Sequence, residues 1–313
     1  MSDITENQIQ HFFINAMVAD AFGVPVEFRV RDTYHVDGMT GHGTYDQPVG
    51  SWSDDSSLTL VLAENLTHHG SPTTMMQRFV AYLQEGEYTP SGTTFDVGAG
   101  TSRAIMAFIK GTPAEQSGDR SEYANGNGAL MRLAPLAFAL VNEPSVDVRL
   151  HDEQAYTTTT HGHPRSVIAS TIYVELLRAL LRGHSLTDGL ATAHRMMERC
   201  RFDRDEYNYF DRIWERDFAQ TPVTMIRSIG YVVDTLEAAI WLNLNAESLD
   251  ELIIKAANLG EDTDTIAQIA TCLFSAAHPD ATVPADWAKQ LVHTDQMDTI
   301  IHDFAHHFAT TVK

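Results

Sequence analysis

The chain has 313 residues and carries 42 Asp and Glu against 21 Lys and Arg, a formal net charge of −21. This length suits one large domain or two small ones with a substantial buried core, and the acid excess argues against binding a nucleic-acid backbone. No apolar run approaches the ~20 residues that span a bilayer, and the acidic segment Met1 to Glu6 lacks the basic start of a signal peptide. We therefore expect a cytoplasmic protein with no nucleic-acid and no membrane partner.

Helical periodicity dominates the chain. In order, the pattern predicts helices over residues 8–21, 55–68, 73–85, 99–109, 129–141, 165–182, 186–200, 231–242, 249–258, 263–277 and 286–309. Segments rich in Gly, Pro and polar residues predict loops over 29–51, 86–97, 111–128 and 142–164. Without strand alternation, repeats or a low-complexity linker, the sequence predicts an all-α fold: a compact bundle of many helices in a single domain over residues 1–313.

Several residues outside the loops receive structural interpretations. The two cysteines, Cys200 and Cys272, are too few for a disulfide framework, so we expect free, buried thiols in a reducing compartment. The pairs His68-His69 and His306-His307 are expected at the surface. Trp241, Tyr231 and Met131 are expected in the core.

The first acidic cluster is Ser53-Asp54-Asp55, immediately before the apolar run that starts at Leu58. Ser53 or Asp54 is typical of a helix N-cap, since a side-chain oxygen there accepts a hydrogen bond from a free backbone N–H. Helix capping is therefore the simpler interpretation of this cluster on its own.

The second cluster, Asp262-Thr263-Asp264-Thr265, has the same form before another apolar run. Buried carboxylates at two helix starts repel one another unless a positive charge lies between them. Asp, Ser and Thr oxygens favour Mg²⁺, Mn²⁺ or Ca²⁺ over zinc. The two clusters together predict a site for hard divalent ions, to which Glu27 would add a third acidic segment.

Seven motifs resemble, in order, those of the ADP-ribosylglycohydrolase family, and most closely the bacterial branch that includes dinitrogenase reductase-activating glycohydrolase. The resemblance runs from about Ile14 to Leu273. Ser53 and Ser56 stand where members often carry Thr, and serine retains the hydroxyl ligand. The motifs are Ala19 to Phe28, Trp52 to Ser56, Asp96 to Arg103, Asn125 to Arg132, Thr160 to Arg165, Gly230 to Leu236 and Gly260 to Ala267.

The resemblance implies a compact α-helical fold and a centre of two Mg²⁺ or Mn²⁺ ions that activates a water for hydrolysis. By this likeness Ser53, Asp54 and Asp55 serve one ion, Asp262 and Thr265 serve the other, and Asp264 bridges them. Glu27 matches an acid near the second ion and, with Asp55, counts among the catalytic residues.

Asp96 matches a family acid beside the substrate, where a carboxylate would stabilise positive charge or move a proton. The alternative for Asp96 is a turn-forming residue before Val97-Gly98.

The resemblance implies a substrate site formed by the loop Asn125 to Arg132 and by His161. This loop, the substrate loop, is implied to face the pyrophosphate, because glycines let backbone N–H groups approach an anion at a helix N-terminus. Taken alone, Asn-Gly-Asn-Gly is a turn signal and His161 a structural histidine. The implied substrate-binding residues are Asn125, Gly126, Asn127, Gly128, Met131 and His161.

These features predict a hydrolase that removes ADP-ribose from modified protein side chains, with an N-glycosidic bond to arginine preferred through likeness to the bacterial branch. Hydrolysis of O-linked or small ADP-ribosyl compounds is one alternative. Another is a binding or immunity protein that sequesters an ADP-ribosylating toxin, which predicts an extended arm, whereas about a dozen residues precede the family core. The expected partners are an ADP-ribosylated protein and, as functional counterpart, an ADP-ribosyltransferase or toxin.

Overall fold

A computed structural model describes residues 4–309, which form fourteen α-helices joined by loops and short 3-10 turns. Within this range β-structure is confined to three isolated bridges. The all-α prediction is therefore confirmed. The helices are α1 (Glu6–Gly23), α2 (Asp54–Thr67), α3 (Pro72–Glu85), α4 (Ala99–Ile109), α5 (Ala134–Leu140), α6 (Val146–Thr158), α7 (Pro164–Leu181), α8 (Leu186–Met197), α9 (Arg204–Tyr207), α10 (Val232–Asn245), α11 (Leu249–Ala257), α12 (Thr263–Ala277), α13 (Ala285–Ala288) and α14 (Asp295–Ala309).

Helix α12 lies at the centre of the bundle. Nearly all of its residues are buried, as the apolar run after Thr265 predicts, and it packs against α1, α7, α10 and α11. A continuous apolar cluster extends from Ile4 to Phe308. The assignment of residues 1–313 to one domain stays a prediction.

The helix α1 and the turn after it, Glu6–Val26, are long and apolar enough to cross a membrane, with a mean hydropathy of 1.2. The expectation that no segment reaches this length is therefore wrong. In the structure 83% of the apolar window is buried inside the protein, where α1 packs on α12, α14 and α2. This is the environment of a core helix, whose hydrophobicity faces other helices instead of lipid.

The predicted loop 142–164 is wrong, because α6 occupies its centre. Ser145 caps α6 by accepting a hydrogen bond from the Val148 N–H. The buried face of this helix includes Arg149 and Glu153, and Arg149 Nε donates to Glu175 at 2.5 Å. Charged residues on the inner face remove the apolar periodicity by which helices are recognised in a sequence.

Two predicted helices are interrupted. Residues 286–309 divide into α13 and α14, because the chain between them turns to pair the Val292 N–H with the Gly50 carbonyl. The range 129–141 begins with a 3-10 turn, Leu130–Arg132, before α5. Between α13 and α14 a tertiary hydrogen bond replaces a helical one, whereas before α5 the backbone bonds are local and of the 3-10 type.

The residue-level expectations are mostly confirmed. Both cysteines are free, but only Cys272 is buried, while Cys200 is partly exposed. Trp241 and Met131 are buried, whereas Tyr231 is partly exposed and its hydroxyl accepts from Arg165. Among the paired histidines, His68, His69 and His306 are exposed and His307 is partly buried beside His69.

The fold brings the end of α1 against the start of α12. An added Cβ on Gly23 would lie 2.4 Å from the Asp264 Cα, and the Thr263 hydroxyl donates to the Gly23 carbonyl at 2.9 Å. Only glycine allows this approach. The contact places the segment that carries Glu27 beside the second acidic cluster.

Candidate metal and catalytic site

Both acidic clusters and most of the predicted substrate residues line one cavity of about 220 Å³. Three predicted residues lie behind its wall, since Ser53, Asn125 and Asp264 are buried without lining the cavity. The predicted residues that line it are Glu27, Asp54, Asp55, Asp96, Gly126, Asn127, Gly128, Met131, His161, Asp262 and Thr265.

The first cluster opens α2, and its N-cap interpretation is confirmed. The Ser53 side chain accepts from the Asp55 N–H at 3.2 Å. Asp20, on α1, lies behind it: its carboxylate accepts from the N–H groups of Ser53 and Ser56 and from the Ser56 hydroxyl. Burial raises the pKa of Asp20 to about 6. The sequence interpretation missed Asp20 as a site residue, although it lies in the first family motif.

The second cluster does not behave as a simple cap. Asp262 stands at the N-cap position of α12, but its side chain makes no capping hydrogen bond. Its Oδ2 instead accepts from the Asn127 amide at 2.6 Å. The Thr265 hydroxyl donates to Asp55 Oδ2 at 3.1 Å, which links the two clusters directly. Helix capping alone therefore does not explain the second cluster.

Glu27 reaches the second cluster through paired backbone hydrogen bonds. The Phe28 N–H donates to the Glu261 carbonyl at 2.6 Å, and the Glu261 N–H donates to the Arg29 carbonyl at 2.9 Å. Phe28 and Glu261 both have positive φ, at 61° and 62°, a conformation that non-glycine residues adopt rarely. The pairing holds two sharply turned segments together at the cavity mouth.

Three carboxyl groups, from Glu27, Asp96 and Asp264, offer oxygens that lie within 4.8 Å of one another. Burial, with Asp96 and Asp262 nearby, raises the pKa of Glu27 to about 10. Burial and the neighbouring acids also raise the pKa of Asp264 well above its usual range. Acids held this close together favour the binding of a positive charge.

The unpartnered oxygens of the site support the same conclusion. Glu27 Oε2, Asp55 Oδ1 and Asp264 Oδ2 are buried and have no hydrogen-bond partner. Leaving a buried carboxylate oxygen unpaired is costly, and hard divalent cations bind such oxygens. The donor set therefore fits Mg²⁺ or Mn²⁺.

Asp96 belongs to this acidic group and also to a turn. Its φ is 49°, and the Gly98 N–H two residues later donates to Asp54 Oδ2 at 3.3 Å. The Tyr45 hydroxyl hydrogen-bonds to the carboxyl groups of Glu27 and Asp96. The turn and site interpretations of Asp96 are therefore compatible, and Tyr45, which no sequence motif indicated, is part of the site.

In the substrate loop the two asparagine side chains are engaged within the protein. The Asn127 amide donates to Asp262 and to the Thr235 hydroxyl. The Asn125 side chain accepts from Ser166 and donates to the Glu122 carbonyl. Both side chains therefore shape the site by holding its wall in place.

Gly128 of this loop lies so close to His161 that the space beside it leaves no room for a larger residue. An added Cβ on Gly128 would lie 2.9 Å from the Thr101 hydroxyl and 3.0 Å from His161 Cε1. The loop leads into a 3-10 turn instead of an α-helix, and its contact with an anion stays a prediction. The Arg132 side chain of that turn is buried and donates to the Gly128 carbonyl.

His161 forms part of the cavity wall as a buried, neutral ring. Burial, together with Arg132 and Arg103, lowers its pKa to about 3. Its Nδ1 pairs with the Thr160 hydroxyl at 2.9 Å. The imidazole therefore stays uncharged at neutral pH and offers a polar ring edge to a ligand.

Comparison with curated proteins gives relatives of related activity. The chain is 29% identical over 292 residues to ADP-ribosylarginine hydrolase Tri1 of Serratia proteamaculans (strain 568), covering 92% of this chain and 76% of the relative. A Tri1 protein of Pseudomonas putida (strain GB-1) is also 29% identical, with 91% and 74% covered. ADP-ribosyl-(dinitrogen reductase) glycohydrolase of Rhodospirillum rubrum is 26% identical, with 89% and 88% covered.

The fold comparison agrees with the sequence comparison. A solved structure described as an ADP-ribosylglycohydrolase-related protein complex superposes with a TM-score of 0.79 at 28% identity, covering 96% of this chain and 98% of the other. Residues 1–312 match the model of the family described as ADP-ribosylglycohydrolase. The acidic cavity thus lies in a scaffold shared with these proteins, and the chain belongs to the ADP-ribosylglycohydrolase family.

Proposed function

We propose that the chain hydrolyses the N-glycosidic bond between ADP-ribose and a protein arginine, using two divalent ions held in the acidic cavity. Family membership supports the coarser activity, hydrolysis of ADP-ribose from modified substrates. The observation that carries the finer proposal is the meeting of two acidic clusters in one cavity with buried, unpartnered carboxylate oxygens.

The proposed ligands divide between the two helix starts. When bound, Mg²⁺ or Mn²⁺ supplies Lewis-acid stabilisation of negative charge on oxygen. Asp264 is the proposed bridging ligand, and Glu27 lies within 4.8 Å of it. Ser53, Asp54 and Asp55 would hold one ion, and Asp262, Asp264 and Thr265 the other.

The protein's own groups account for substrate positioning and proton transfer. In hydrolysis a water oxygen bonds to the anomeric carbon, the bond to the guanidine nitrogen breaks, and that nitrogen takes a proton. Asp96 lines the cavity, so its carboxylate can accept the proton of the water and stabilise positive charge on the ribose ring. Neutral His161 offers a hydrogen bond without adding positive charge beside the reacting carbon.

Two relatives favour arginine as the modified residue, since each is named ADP-ribosylarginine hydrolase. The five carboxyl groups that line the cavity do not decide the linkage, because two divalent ions would offset their charge.

The direct test is release of ADP-ribose from arginine-modified and from serine-modified protein, each with Mg²⁺, Mn²⁺ or EDTA. We expect release from the arginine substrate that requires a metal. Absence of release with either metal would contradict the enzymatic proposal. Faster release from the serine substrate would contradict only the linkage.

A second experiment separates catalysis from toxin sequestration. Asp264→Ala removes the proposed bridging ligand and should abolish turnover while circular dichroism shows an unchanged helical content. If the variant still protects cells from an ADP-ribosylating toxin, binding alone accounts for the protection. Toxin counterpart and cytoplasmic location both stay predictions.

A further inference from the structure

A second cavity, separate from the acidic one, lies between α6, α7 and α8 and the segment that follows α8. Its volume is about 920 Å³, within the range of small-molecule sites and larger than the acidic cavity of about 220 Å³. Gly162 forms part of its wall, while the preceding His161 lines the acidic cavity. Neighbouring residues of one stretch of chain therefore line the two cavities.

The charge of this second cavity is opposite to that of the protein. Four arginines line it, against two aspartates, although the chain has twice as many acids as bases. Among residues 4–309, none of these arginines takes part in an ion pair. Arg195 donates a hydrogen bond to the Thr192 hydroxyl at 3.0 Å, which leaves its charge in place. Four guanidinium groups without a carboxylate partner in an acidic protein create a local anion-attracting field. The arginines are Arg120, Arg195, Arg199 and Arg201.

One of the two aspartates is already engaged. The carboxylate of Asp203 caps α9 by accepting from the N–H groups of Asp205 and Glu206. Asp203 keeps its negative charge, so Asp147 and Asp203 together offset two of the four arginines in the lining. The balance of available charge in the cavity therefore favours an anion.

Part of the remaining lining is apolar. Leu150, Val167, Met196 and Phe202 form part of the wall, which gives a flat or aromatic group surface to bury. Thr171 also contributes to the lining, and its hydroxyl lies beside the buried carboxyl group of Glu153.

We propose that this cavity binds a small phosphorylated molecule that carries an apolar ring. Arginine is suited to this ligand class because its planar guanidinium group donates two parallel hydrogen bonds to a phosphate. The apolar wall accounts for the ring, and a volume of about 920 Å³ suits a small molecule.

The test uses 4-methylumbelliferyl phosphate, a fluorescent aryl phosphate, and the full-length chain in buffer containing EDTA. Without metal the acidic cavity repels a dianion, so binding there is suppressed. We expect one molecule bound per chain by equilibrium dialysis. Arg199→Glu with Arg201→Glu should weaken binding at least tenfold, because it reverses two of the four positive charges.

Two further variants make the test specific. Lys110→Glu with Arg216→Glu changes net charge equally at exposed residues outside the cavity, and it should bind as the wild type does. Val167→Trp fills the cavity without changing charge and should also weaken binding at least tenfold. Failure of the wild type to bind, or equal binding by the cavity variants, would overturn the proposal.

Competition identifies the ligand class. Unlabelled phenyl phosphate should displace the probe at lower concentration than inorganic phosphate, because only the former reaches the apolar wall. Equal potency of inorganic phosphate would show a simple anion patch, and stronger displacement by a hexaglutamate peptide would show a peptide site. Either result would overturn the proposal.

Discussion

Asp264→Asn tests the electrostatic reasoning about the acidic site most directly. The substitution keeps the shape of the side chain and removes its charge. Asp264 is buried, with one oxygen accepting from the Thr265 N–H and the other unpartnered. We expect the variant to be more stable than the wild type without metal and to lose stabilisation by metal.

The magnitude follows from the geometry. At neutral pH Glu27, with its pKa raised to about 10, holds a proton, so the repulsion of Asp264 comes from Asp55, Asp96 and Asp262. Oxygens of Asp96 and Asp264 lie within 4.8 Å of each other, and at an effective dielectric constant of ~20 this pair alone repels by about 3 kcal/mol. Protonation of either group relieves part of this cost, so a gain of about 1 to 3 kcal/mol is expected.

The sign with pH follows from the raised pKa of Asp264. A carboxyl group whose folded pKa lies above its ordinary value of 3.8 costs no stability below that value and costs more as pH rises. The stabilising effect of Asp264→Asn should therefore be absent below about pH 4 and grow toward neutral pH.

The assay is thermal unfolding with EDTA and with Mn²⁺, beside the exposed control Asp37→Asn. Without metal the variant should melt roughly 2 to 6 °C higher than the wild type. Metal at ~100 times its Kd should stabilise the wild type by about 2.7 kcal/mol and the variant by much less. A variant less stable than the wild type in EDTA at pH 7, or equally stabilised by Mn²⁺, would refute the reasoning.

Three further substitutions test other parts of the site. Asn127→Ala removes the amide that orients Asp262, so Mn²⁺ affinity measured by calorimetry should fall ~10- to 100-fold; unchanged affinity would contradict this positioning role. Gly128→Ala places a methyl group 2.9 Å from the Thr101 hydroxyl, and should lower stability by about 1 to 3 kcal/mol and raise KM. A variant with wild-type melting and KM would show that the cavity wall moves to accommodate the methyl group. His161 stays unprotonated in the folded protein, because its pKa is lowered to about 3. As pH falls below 6.5 the unfolded chain binds a proton there and the folded protein does not, so the free energy of unfolding falls by about 2 kcal/mol at pH 5. Denaturant titrations over this interval should show His161→Gln losing less stability than the wild type.

The sequence was sufficient where local chemistry decides the structure. Apolar periodicity predicted α7 and α12, whose buried faces consist mainly of apolar side chains. Apolar periodicity failed at α6, because that helix buries Arg149 and Glu153. An ion pair between Arg149 and Glu175 replaces hydrophobic contact there. Side chains that find their partners on distant helices leave no periodic signal.

The same distinction applies to the acidic clusters. Their residue types and their places at two helix starts are readable from Ser53-Asp54-Asp55 and from Asp262 onward, because capping and metal binding use the same oxygen donors. Sequence alone also indicated that Glu27 could join them, through resemblance.

Only the tertiary structure decided how these groups meet. It brought Asp96 to Glu27 and Asp264, linked Thr265 to Asp55, and assigned Asn127 to the support of Asp262. It also added Asp20 and Tyr45, whose roles depend on hydrogen bonds to segments far away in the chain. Such contacts depend on how α1, α2 and α12 pack. A hydrogen bond between distant segments is set by the approach of whole helices, and local sequence patterns do not encode that approach.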